Sequence, residues 1–255
     1  MKKTSIAASL FAIFLGTSAV AGSVEETPAE PTIAPAPTEA EWSYNVTPFI
    51  WATGLSATTT IGNVTASVDS DFSDILNALD MALMLDFRAR KGDWEFGGNL
   101  VYADLSNTTT GANGVSNTID AKMTLFELDA KKYFSDQFFG YFGGRYYDLD
   151  NTLSLGAPVN ASASGRNTWI DPIVGAGFAV PVSGNWSFVG KGDIGGFGIG
   201  SDFAWQAQAY AQYDTSDKFS LLLGYRILDF DYSPNSITSS NMTISGPVAG
   251  FRFRF

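Results

Sequence analysis

The sequence predicts an all-β protein, a transmembrane antiparallel up-and-down β-barrel of about ten strands. Three observations carry this. Polar and apolar residues alternate with period two through long stretches of the chain, the mark of strands with two unlike faces. The chain opens with a secretory segment. Beyond that segment, no apolar run approaches the ~18 residues that a membrane helix needs. A membrane protein without such helices closes a barrel, because lipid leaves the backbone no other way to satisfy its polar groups.

The alternation is clearest near the end of the chain. Phe251, Phe253 and Phe255 share one face with Ala249, and Arg252 and Arg254 lie on the other. Over 202–214, Phe203, Trp205, Ala207, Ala209, Ala211 and Tyr213 oppose Asp202, Gln206, Gln208, Tyr210, Gln212 and Asp214. Over 79–90, Met81, Leu83, Leu85 and Phe87 oppose Asp86, Arg88 and Arg90. A soluble barrel would turn the apolar set inward. The secretory segment and the aromatic ending assign it to lipid instead, with the polar set facing the lumen.

The secretory segment reads from Lys2 and Lys3 through the apolar run 6–15 to Ala19-Val20-Ala21, a small-residue cleavage site. Residues 1–21 are therefore expected to be removed. The next residue is not Cys, which excludes a lipoprotein anchor. Residues 22–41 hold Pro28, Pro31, Pro35 and Pro37 and no aromatic, and read as an extended, disordered periplasmic tail. Aromatics become dense from Trp42, so the barrel domain is 42–255.

Four short polar turns divide that domain: Lys91-Gly92-Asp93, Ser135-Asp136-Gln137, Ser183-Gly184-Asn185 and Thr215-Ser216-Asp217. Trp94, Phe138, Trp186 and Phe219 lie just beyond them, as in an interfacial girdle. Longer polar stretches, 107–117, 151–165 and 233–240, alternate with these turns and read as outer loops. The division gives strands at 43–60, 79–90, 94–106, 118–133, 138–150, 166–181, 186–197, 202–214, 218–231 and 241–255. Ten is even, as both ends in the periplasm require, and eight or twelve are the neighbouring even counts. Gly62-Asn63 can turn a hairpin that makes 64–69 a further strand. Phe72, Ile75, Leu76 and Leu79 then lie at helical spacing behind Ser70 or Asp71, predicting a short helix near 71–79 at the barrel mouth.

The stretches Gly192-Asp193-Ile194-Gly195-Gly196-Phe197-Gly198, Leu223-Gly224-Tyr225-Arg226 and Ser245-Gly246-Pro247 resemble a family of small, porin-like or OmpA-like barrels of the bacterial outer membrane. So do Pro48-Phe49-Ile50-Trp51 and Phe72-Ser73-Asp74-Ile75-Leu76, and the resemblance extends over 42–255. It implies a barrel in the bacterial outer membrane and no particular activity. The last strand resembles the assembly signal of such barrels, which implies that Phe251, Phe253 and Phe255 address the barrel assembly machinery.

Composition excludes several functions. The chain has no Cys, hence no disulfide framework or thiolate metal site, and no His. Its net charge of −11 becomes −11 − 2 = −13 without the two signal lysines, which argues against a nucleic-acid partner. Lipases and deacylases of the outer membrane pair His with Ser, and omptin-like proteases pair it with Asp. Without an imidazole these routes to a general base near neutral pH are closed, so no catalytic residue, cofactor or metal is assigned. The glycines of 192–198 precede another strand rather than a helix, and read as a tight turn instead of a phosphate loop. Asp69, Asp71, Asp74 and Asp80 match no EF-hand spacing and read as a solvated face.

The inward faces are the candidate site. They collect Arg88, Lys131, Arg145, Lys191, Arg226 and Arg252 as cations against Asp86, Glu95, Glu127, Asp129, Asp171 and Asp193 as acids. From these, Glu127, Asp129, Arg145, Asp171, Lys191, Asp193 and Arg226 are expected to form a lumen ion network. Balanced sign fits a structural network, because buried charges need partners. A selective constriction more often carries one sign in excess. Ten strands lie near the size that side chains fill. The expected function is therefore a non-enzymatic structural or adhesive envelope protein in contact with outer-membrane lipid. A narrow channel for ions or small solutes is the alternative.

Overall fold

A computed structural model describes residues 41–61, 63–110, 116–157, 160–235 and 237–255. The expected secretory segment 1–21 and nearly all of the expected tail 22–41 lie outside the described residues. Among the described residues, twelve strands form one antiparallel sheet: β1 (Ser43–Trp51), β2 (Gly54–Ile61), β3 (Val64–Ser70), β4 (Leu79–Lys91), β5 (Trp94–Thr110), β6 (Ser116–Tyr133), β7 (Phe138–Leu155), β8 (Ala161–Ser183), β9 (Trp186–Gly195), β10 (Phe203–Ser216), β11 (Phe219–Asn235) and β12 (Thr238–Arg254).

The sheet closes on itself through β12. Its second half pairs with β1, from Trp51↔Val248 to Asn45↔Arg254, and its first half pairs with β2, from Gly54↔Ser245 to Ile61↔Thr238. Thus β1 and β2 are one stave, interrupted at Ala52 and Thr53, where the Ala52 amide donates to the Pro247 carbonyl at 2.9 Å. With β3 added to β2 as a side hairpin, twelve strands make a ten-stave barrel. The ten predicted strands and the extra strand at 64–69 are all present.

The helix α1 (Phe72–Ala78) follows β3. The Asp71 carboxylate accepts from the Asp74 amide at 3.0 Å, and Asp74 answers by accepting from the Asp71 amide at 3.4 Å, a capping box. The Ser73 hydroxyl donates to Asp71 at 2.6 Å and, with the Asp74 amide, holds that carboxyl below its usual range. Two acids of the 69–80 group thus serve helix capping. None of the helix residues is buried, and Phe72 and Leu76 stay exposed, so α1 lies at the barrel rim without filling it.

The wall has the expected two faces. Phe87, Phe96, Leu128, Phe142, Ile170, Val174, Leu223 and Phe251 are among the large apolar side chains exposed on the outside. Trp94, Phe138 and Trp186 are exposed beside the short turns. This continuous apolar belt is far larger than a soluble monomer exposes, and it is the face a lipid bilayer covers.

One expectation changes. Much of the predicted outer loops is strand: β5 runs to Thr110, β7 to Leu155, β8 begins at Ala161, and β11 runs to Asn235. These segments are rich in Thr and Ser, whose hydroxyls pair across strands, as in Thr108 with Thr118 at 2.9 Å and Thr59 with Ser240 at 3.0 Å. Outside the belt neither face needs apolar residues, so the alternation that marks a strand disappears while the pairing continues. The glycine-rich turn after β9 is as expected. Gly196 has φ of +82°, and a Cβ there would lie 2.6 Å from the Ser201 carbonyl oxygen.

Candidate functional site

The seven residues expected in the lumen network all point inward, and six are buried outright. Arg145 on β7 is 1% exposed and is the hub. Its Nη2 donates to Glu127 at 2.8 Å and to Asp193 at 2.9 Å, and its Nε donates to Glu127 at 3.1 Å. Glu127 lies beside it on β6, in register with it. Asp193 belongs to β9 and is reached across β8. Lys191 adds its Nζ to Glu127 at 3.3 Å, and the Tyr141 hydroxyl donates to Asp193 at 2.9 Å.

Asp129 joins a second hub. Arg88 donates to Asp129 at 2.6 Å and to Asp86 at 2.7 Å. Gly97 on the neighbouring strand makes room for this arginine, because a Cβ there would lie 2.2 Å from its Nη1. Lys131 donates to Glu95 at 2.5 Å nearer the short turns. Two guanidinium groups thus each hold two carboxylates, the arrangement that buried acids require.

Asp171 and Arg226 stand differently. Asp171 is fully buried and accepts from the Ser201 amide at 2.6 Å, not from a cation. It pins the 196–202 turn into the lumen, helped by the Trp169 indole, which donates to the Ser201 hydroxyl at 2.9 Å. Arg226 is 3% exposed and donates only to neutral acceptors: Gln206 at 2.5 and 2.8 Å, and Asn99 at 3.1 Å. Arg252 likewise donates to Gln212 at 2.7 Å and to the Tyr210 hydroxyl at 3.2 Å. Among the described residues, neither arginine has a carboxylate within ion-pair distance.

Above the charges, toward the long connections, the lumen becomes apolar, which the sequence reading did not anticipate. Trp51, Val101, Leu125, Tyr147, Trp169, Leu228, Phe230 and Ile244 form one buried cluster, each at most 8% exposed. The rings of Tyr147 and Trp169 stack at 4.7 Å, those of Trp169 and Tyr232 at 3.9 Å, and Phe230 meets Tyr147 edge-on at 5.0 Å. The signal was in the sequence: Tyr147 is two residues beyond Arg145, and Trp169 two before Asp171, hence on the same inward faces. Below the Arg145 hub lies a cavity of about 240 Å³ that extends to Pro181, Ser187 and Gln212, close to the short turns.

No family model and no curated protein matches the chain. Among solved structures, it is similar to the outer membrane protease OmpT from Escherichia coli, at 7% identity, covering 87% of this chain and 99% of that one, with a TM-score of 0.56. It also aligns with the translocator domain of the autotransporter NalP from Neisseria meningitidis, at 14% identity over 84% of this chain and 87% of that one (TM-score 0.47). Ail of Yersinia pestis, solved with the heparin analogue sucrose octasulfate, aligns at 8% identity over 86% of this chain and 100% of that one (TM-score 0.36). At such identities the likeness to OmpT concerns the fold alone. Closed wall, apolar belt and charged interior together define a transmembrane β-barrel of the bacterial outer-membrane class.

Proposed function

We propose that this protein is a closed, non-enzymatic barrel with a structural or adhesive role in the envelope, exercised through the end that bears the long connections. The observation that carries this reading is the double closure of the lumen. The Arg145 hub and the aromatic layer of Tyr147, Trp169 and Phe230 lie one above the other, all almost fully buried. A lumen filled at two successive levels favours a rigid scaffold over a pore. The strands that continue beyond the belt, such as β7 and β8, supply an exposed surface for contact with other envelope or host components. The absence of histidine supports a role without catalysis, although OmpT is a protease. In the same reading, Phe251, Phe253 and Phe255 guide the barrel assembly machinery, and the belt meets outer-membrane lipid.

The narrow channel keeps one observation in its favour, the 240 Å³ cavity inside the lumen. Solute-driven swelling of liposomes carrying the purified barrel separates the two. The closed reading expects swelling no faster than in protein-free liposomes with arabinose or glycine, and rapid swelling would replace it with the channel.

A further inference from the structure

The six cations and six acids expected in the lumen do not share the wall of the lower cavity equally. Five cations line that wall, Arg88, Lys131, Lys191, Arg226 and Arg252, against two carboxylates, Asp86 and Glu95. Glu127, Asp129, Asp171 and Asp193 do not line it. They are engaged by Arg145, Arg88, Lys191, the Tyr141 hydroxyl and the Ser201 amide.

Arg226 and Arg252 are the informative pair. A guanidinium carries five N–H donors and is charged at any accessible pH. Each of these two makes three side-chain hydrogen bonds, all to neutral oxygens. Donors therefore remain, and so does the full charge, on two neighbouring strands: Arg226 pairs with Gly246 and Arg252 with Ser220, so the two arginines lie at different heights of the cavity wall. Gln206 and Asn99 fix the Arg226 head from two sides, while Gln212, Tyr210 and Thr47 fix Arg252. Such cations, held in place by neutral acceptors and with no carboxylate in ion-pair contact, are prearranged for an anion. Phe139, Val189 and Leu222 give the same cavity an apolar side, so it suits an anion with a small carbon body as well as a bare one.

We propose that the lower lumen binds a small oxyanion, a carboxylate or phosphate, against Arg252 in the cavity whose wall carries the excess of cations. The site uses groups that the closure of the lumen does not need, so it stands whether the barrel conducts or not.

Isothermal titration of the purified, detergent-solubilised barrel tests it, with benzoate and inorganic phosphate as probes, choline as the cation control and ionic strength held constant. The expected result is saturable binding of at least one anion at ~1 mM or tighter, and none of choline. Benzoate alone binding identifies an organic carboxylate, and phosphate alone identifies a phosphoryl group. Arg252→Gln should weaken binding by about tenfold or more, the equivalent of losing one charge-assisted contact. Arg226→Gln, farther up the cavity wall, should weaken binding less, and Arg166→Gln on the outer wall should leave binding unchanged. Heat-modifiable gel mobility verifies that each variant is folded, and the half-buried Arg252 keeps the test open if Arg226→Gln does not fold. Absence of saturable binding by both anions, equal binding of choline, or undiminished affinity in folded Arg252→Gln would overturn the proposal.

Discussion

The guanidinium of Arg226 lies over the indole of Trp51, 4.6 Å from the ring centroid. This pair marks the level at which the lumen changes from charged to apolar. Trp51 belongs to the aromatic layer above, and Arg226 to the polar layer below. A cation on the face of a tryptophan lets the two layers join without stranding the charge against hydrocarbon.

The Arg145 hub should dominate stability. Arg145→Ala leaves Glu127 and Asp193 buried without their guanidinium, and should cost on the order of 3–5 kcal/mol. Urea unfolding in lipid vesicles measures it. The triple change Arg145→Met, Glu127→Gln, Asp193→Asn removes the charges together and should recover much of that loss. A single variant as stable as the parent would remove the hub from the account.

The aromatic layer makes an independent demand. Phe230 is 1% exposed and packs against Tyr147 and Trp169. Phe230→Ala should destabilise the barrel by ~3–5 kcal/mol, the range for emptying a packed aromatic site. Leu223→Ala, on the lipid-facing wall, should cost clearly less in the same unfolding experiment. Equal losses would mean that the interior is not packed at this level.

Orientation is accessible because the chain has no cysteine of its own. Ser164→Cys, on the part of β8 beyond the belt, should react with an impermeant maleimide on intact cells. Ser135→Cys and Ser216→Cys, in the short turns, should react only after the outer membrane is opened. The reverse pattern would invert the barrel.

The staves were legible in the sequence because belt and lumen impose opposite polarities on successive residues, as in Phe126, Glu127, Leu128 and Asp129. Which residues point inward followed from the same parity. Partner choice did not: Arg145 reaches Asp193 two strands away because the wall curves, and curvature is not written in any one strand. Asp171 looked like a network member by its position, yet the 196–202 turn folds back and takes its oxygen. Charged residues mark the lower lumen in the sequence, whereas Leu125, Tyr147 and Leu228, on the same inward parity, form a core only when all ten staves are brought together.

The central claim is that the lumen is closed at two levels, and single-channel recording in a planar bilayer tests it most directly. Purified wild-type protein, inserted in its folded form, should show no steady conductance. Phe230→Ala alone should remain closed, since the Arg145 hub below it is intact. Steady wild-type openings whose ion preference moves toward cations in Lys191→Glu would contradict the account and make the charged layer a selectivity filter.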